Sequence, residues 1–176
     1  DRLCEAVLKC MIVTAPAVMK DPKDYEARAN IMWAGMVAHN NLCGVGREQD
    51  WSSHALEHEL SALYDCAHGA GLAVMMPAWM RYVMGHDIAR FAQFAVRVWG
   101  CEMDFSNPEK TAAEGIEKFS AFLSSIGMPK RIRELGGEEK DIPKLVATLG
   151  ATQERPVGNF VKLTDKDAEA IYRSAL

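Results

Sequence analysis

Apolar residues recur every three to four positions along this chain, and no window longer than a few residues alternates strictly between polar and apolar as a half-buried strand would. The pattern predicts an all-α, multi-helix fold. Leu3, Val7, Cys10, Met11 and Thr14 form the first stripe, predicting a helix from about Arg2 to Thr14 that Pro16 interrupts. Asp21 is placed to cap a second helix, with Pro22 at its first position and Asp24 near the positive end of its dipole. Its apolar stripe is Tyr25, Ala29, Met32 and Met36, and it should reach about Asn41, before a loop from Cys43 to Asp50.

Ser52 or Ser53 can cap a third helix, where Leu56, Leu60 and Leu63 make an apolar ridge and His54 and His58 share the neighbouring face. Gly69 to Val83 reads as a largely buried helix containing Pro77, and Asp87 to Trp99 as a fifth. Asn107 and Pro108 open a long helix that Gly127 closes, Met128 to Leu135 reads as a short helix, and Ile142 to Leu149 is closed by Gly150. Thr164, with Asp167 as the acidic third residue, caps the last helix, and Ala151 to Leu163 is the best loop candidate. No repeat, low-complexity tract or boundary appears, so residues 1–176 read as a single all-helical domain.

Composition narrows the class. Of the 176 residues 49 % are hydrophobic and 25 % charged, with a formal net charge of -4, which describes a globular protein and gives no basic surface for nucleic acid. The longest apolar run, Gly69 to Met80, is too short to span a bilayer and no charged-then-apolar leader opens the chain, so a cytoplasmic protein without a membrane partner is expected. The 5 cysteines form no C-x-x-C pair and are read as reduced thiols packed as small apolar residues.

Candidate chemistry concentrates in one place: His39, His54, His58 and His68 lie close in sequence, while His86 stands outside. A lone helical histidine is more often packed or solvated than ligating, and His86 is read so. His54 and His58 are four apart, hence about 40° apart around a helix axis and about 6 Å along it, suited to one centre. On an unbroken helix His68 would lie about 21 Å from His54, whereas two nitrogens on one ion span roughly 4 Å. A shared ion requires a turn, and Asp65-Cys66-Ala67-His68-Gly69-Ala70-Gly71 supplies the residues for one.

Two readings of these histidines compete. His54-Ala55-Leu56-Glu57-His58 matches H-x-x-E-H, an inverted zinc-protease signature in which both histidines bind zinc and the glutamate activates water. It needs a further carboxylate, for which Glu134 and Glu138 are nominal candidates, and leaves His68 unexplained. The second reading rests on Asp50-Trp51-Ser52-Ser53-His54, His58-Glu59-Leu60 and Ala67-His68-Gly69-Ala70-Gly71-Leu72-Ala73, preceded by Asp24-Tyr25-Glu26-Ala27-Arg28 and Met32-Trp33-Ala34. These segments resemble the iron-containing (group III) alcohol dehydrogenases, most closely the butanol-dehydrogenase branch.

The resemblance runs to the final Ile171-Tyr172 helix and implies a C-terminal helical domain, of the dehydroquinate synthase-like kind, whose N-terminal nucleotide-binding α/β partner is absent from this chain. It implies Fe2+ or Zn2+ held partly by His54 and His68, with an aspartate and another histidine upstream of Asp1. It places His58 beside the nicotinamide of NAD(P)H, as cofactor contact and catalytic proton relay, and His39 in the substrate pocket. The implied activity is interconversion of a primary alcohol and an aldehyde by metal-assisted hydride transfer, in a homo-oligomer when full length, with this chain inactive alone. Under this reading replacement of Glu57 by Gln should scarcely matter, whereas a protease would lose its base.

Overall fold

The structure, a computed structural model, describes residues 1–176. Its helices are α1 (Arg2–Lys20), α2 (Tyr25–His39), α3 (Ser52–Tyr64), α4 (His68–Val83), α5 (Ile88–Trp99), α6 (Pro108–Ser125), α7 (Ile142–Leu149) and α8 (Asp165–Ser174), with short 3-10 turns at Met84–His86, Ile132–Leu135 and Glu139–Asp141. The expected all-α class holds. The only β pairing is an isolated antiparallel bridge between Val157 and Leu163, inside the expected loop. No helix is long and apolar enough to cross a membrane. The chain forms two compact units, Asp1–Glu48 with Ala89–Lys118, and Gln49–Ile88 with Phe119–Leu176.

In the first unit α1 packs along α2. Three expectations change here. Pro16 lies inside α1 and does not end it. Proline removes one donor, that for the Ile12 carbonyl, and the helix resumes, with Asp21 N–H bonded to the Ala17 carbonyl at 2.9 Å. The cap of α2 is Asp24, which accepts the Ala27 N–H at 3.0 Å, because Asp21 is already engaged as the C-cap of α1 and accepts the Lys23 N–H at 2.9 Å. The buried face of α2 carries Ala27 and Ala34, whereas Tyr25 and Met32, predicted on an apolar stripe, are 79 % and 74 % exposed. Small side chains let helices approach closely, so the inward face follows alanines rather than bulk.

In the second unit α3 packs on α4, α7 lies against α3 and α8, and α8 also contacts α4. Leu56 and Leu60 of the predicted ridge are fully buried, together with Met75, Ile132, Ile142, Leu145, Leu163, Ile171 and Tyr172. Tyr172 ties the last helix to α3, its hydroxyl donating to the Leu56 carbonyl at 2.8 Å within the core. Burial pushes its phenol far above the ordinary range. Thr164 and Asp167 form the predicted capping box, and Asp167 also receives the Tyr82 hydroxyl from α4. The expected helix at Met128–Leu135 shrinks to the Ile132–Leu135 turn, whose backbone is tied by the Ile132 N–H to the Ala175 carbonyl at 2.8 Å.

The start of α3 is set by a residue outside it. Trp51 occupies the cap position, and Ser52 and Ser53 are buried in the first turn rather than capping. Asp50 caps the helix instead: one carboxylate oxygen accepts the Ser52 N–H at 2.8 Å and the Ser52 hydroxyl. The other accepts the N–H groups of Asn159 and Phe160 at 2.6 and 2.7 Å. Gly158, at φ +95°, lets that loop close; a β-carbon there would stand 2.7 Å from the Val161 carbonyl and 3.1 Å from the Asp50 carboxylate. Burial pushes the Asp50 carboxyl up, but the hydrogen bonds from Ser52, Phe160 and Asn159 outweigh it and hold the group below its ordinary value.

Because the folded form of Asp50 titrates below the unfolded value of about 3.9, its contribution to stability is present above about pH 4 and is lost as the pH falls further. Asp50→Asn should therefore lower the urea midpoint at pH 7 and narrow the gap from the native protein below pH 4, measured by circular dichroism. Tyr172→Phe should cost about 1 kcal/mol, the net value of one hydrogen bond, whereas Tyr172→Ala should cost about 3–5 kcal/mol through the cavity, both read from urea denaturation.

Candidate metal centre

The helix break that the sequence demands is present. Asp65 adopts the left-handed conformation at φ 50° and ends α3, and after Cys66 and Ala67 the chain re-enters a helix at His68. The reversal returns His68 to the face that carries His54 and His58. The ring centroids of His54 and His68 lie 5.4 Å apart, those of His58 and His68 5.3 Å, and those of His54 and His58 6.5 Å. Trp51 packs edge-on against His54 at 4.8 Å, and His54 is half-buried while His58 and His68 are exposed.

These separations test the group against a metal ion. With metal–nitrogen bonds of about 2.1 Å, two imidazoles at a tetrahedral angle have centroids about 5 Å apart. Both pairs that include His68 meet this condition, whereas the His54–His58 separation approaches the limit of a linear arrangement. His68 is thus the common member, and a neutral imidazole pair suits ferrous iron and zinc alike. Ligand atoms of Glu57, His58 and His68 also fall within 4.8 Å of one another.

Glu57 has a different place in this group. Its side chain is 0 % exposed, one oxygen is hydrogen-bonded to Nδ1 of His68 and the other accepts the Ser61 hydroxyl. Gly71, three residues into α4 from His68, leaves the space it fills: a β-carbon there would lie 2.3 Å from the carboxylate. A correction follows. The H-x-x-E-H reading is not favoured, because its glutamate is sealed in the core with both oxygens engaged and its two histidines are the wider pair. Its nominal carboxylates serve elsewhere, Glu134 accepting the N–H groups of Lys130 and Arg131 at 3.0 Å and Glu138 capping the Glu139–Asp141 turn. Glu57 is also not an idle neighbour of the histidines, since its carboxylate is hydrogen-bonded to His68.

Sequence reasoning missed Glu57, Ser61 and Gly71 as one device. The signals were present as a Glu–Ser pair four apart on α3 and a second glycine just beyond His68, but only the reversal at Asp65 brings them together. Asp50, at the end of the expected loop, likewise gains its capping role only through the fold. The remaining histidines lie as follows: His39 ends α2 in the first unit with its side chain exposed, and His86 stacks edge-on with Phe160 at 5.0 Å.

Comparison with known proteins extends this geometry. The family model for the Fe-containing alcohol dehydrogenases, C-terminal, matches residues 1–176. The chain is 39 % identical over 179 residues to a probable NADH-dependent butanol dehydrogenase 2 of Bacillus subtilis, covering 100 % of this chain and 45 % of that protein. It is 33 % identical over 175 residues to the NADPH-dependent aldehyde reductase YqhD of Escherichia coli, covering 99 % of this chain and 45 % of that protein. Among solved structures, an NADH-dependent butanol dehydrogenase A from Thermotoga maritima superposes with a TM-score of 0.92 at 35 % identity, over 99 % of this chain and 45 % of that one. The chain spans less than half the length of these relatives. Matched by the family along its whole length and superposing on a solved relative, the chain belongs to the iron-containing alcohol dehydrogenase family, as its C-terminal portion.

Proposed function

We propose that this chain is the metal-binding helical portion of an NAD(P)H-dependent dehydrogenase that interconverts a primary alcohol and an aldehyde. The carrying observation is the convergence of His54, His58 and His68 across the α3–α4 break, in a chain of this family. Burial sorts the three. His54, half-buried behind Trp51, and His68, tied to Glu57, are the residues that would hold the metal, as Fe2+ or Zn2+. The exposure of His58 beside them supports its assignment to the nicotinamide and to proton relay.

When bound, the metal supplies Lewis acidity to the substrate oxygen. The chain's own residues do the rest. A neutral imidazole carries both a donor and an acceptor, so His58 can take the hydroxyl proton of an alcohol as its hydride leaves for NAD(P)+, and return it in aldehyde reduction. His39 is assigned to the substrate pocket. The all-helical chain has no βαβ unit of the kind that cradles a dinucleotide, so the coenzyme is held mainly by a separate N-terminal domain. The complete enzyme is a cytoplasmic homo-oligomer acting on small alcohols and aldehydes, and residues 1–176 form its metal-binding domain, inactive alone.

Substitution in the full-length enzyme separates the roles. His54→Ala and His68→Ala should each reduce bound metal by more than the roughly 10–100-fold loss in affinity that removal of an outer partner causes. His58→Ala should retain metal and lose about 100-fold or more in kcat for butanal reduction. Metal analysis and steady-state kinetics check both; loss of metal in His58→Ala with retention in His54→Ala would exchange the two assignments. Purified residues 1–176 should show no NADH oxidation with butanal, and turnover by that chain would refute the division of labour.

A further inference from the structure

We propose that Glu57 is the positioning residue of the centre: its buried carboxylate accepts the Nδ1–H of His68 and thereby presents Nε2, with its lone pair, to the metal. The proposal rests on the reading that His68 is a ligand. A neutral imidazole has one protonated and one bare nitrogen, and only the bare one can bind a metal. Left to itself, a histidine opening a helix with its side chain 49 % exposed would exchange tautomers and turn its ring. A carboxylate can only accept, so contact with Glu57 selects one tautomer and one ring orientation.

The surroundings supply a partner at each carboxylate oxygen. An isolated buried carboxylate is costly, and this one has Ser61 at one oxygen and His68 at the other. It also lies against the first turn of α4, whose leading N–H groups bear partial positive charge and receive no side-chain cap. Gly71 permits this approach, because any larger residue there would displace the carboxylate. The four residues form one device spanning the reversal: Glu57 and Ser61 on one helix, His68 and Gly71 on the next. Glu57 is sealed from solvent and acts through His68.

The test uses the metal-free full-length enzyme and Zn2+, with affinity read by competition against a chelator. Glu57→Gln keeps the volume but offers a weaker acceptor and an N–H that favours the opposite tautomer, so Zn2+ binding should weaken about 10–100-fold. His68→Ala should weaken it further. If Glu57→Gln binds Zn2+ within twofold of the native enzyme while His68→Ala does not, the positioning role is overturned and the ligand assignment stands. A fall in the unfolding midpoint of Glu57→Gln without loss of affinity likewise overturns the positioning role. If His68→Ala also binds normally, the ligand assignment fails and the proposal with it. Should Glu57→Gln not fold, 15N-histidine NMR of the native Zn2+-loaded enzyme decides: zinc on Nε2 with a protonated Nδ1 is expected, and zinc on Nδ1 overturns the proposal.

Discussion

One constraint organises the site: a buried carboxylate needs a partner at each oxygen, and beyond Ser61 on its own helix Glu57 meets His68 only if α4 begins where it does. The left-handed Asp65 ends α3, two residues carry the chain around, and His68 opens α4 within reach of Glu57. A longer connection would leave the carboxylate without His68, and an unbroken helix would carry His68 far from His54. The reversal therefore serves two demands, satisfying a buried polar group and gathering imidazoles.

The same economy appears at the entrance to α3. Asp50 commits one oxygen to the first turn of the helix and the other to the Asn159–Phe160 backbone, so the segment carrying His54 is anchored to a loop more than a hundred residues away. Behind it Tyr172 reaches the Leu56 carbonyl, two residues past His54. The helix bearing His54 and His58 is thus held at its start, in its middle and, through Glu57, against its neighbour. Such support fixes where the two imidazoles stand relative to His68.

The first unit shows a different balance. The buried face of α2 is made of alanines, and bulky side chains such as Met32 and Trp33 remain outside. Hydrophobic character alone did not identify the inward face, because residues of both kinds recur around α2 and helix approach rewards small side chains.

By itself the sequence determined the helical class, most helix positions, the break after Asp65 and the clustering of His54, His58 and His68, since all depend on local propensities, capping residues and short spacings. It could also carry the family likeness, which lies in residue identity. Tertiary structure decided which face of α2 is buried, that Pro16 does not end α1, that Asp50 caps from outside its helix, and that Glu57 is a sealed partner of His68. Those outcomes depend on atoms brought together by packing, where a single donor or a missing β-carbon controls the result, and neither is visible in the order of residues.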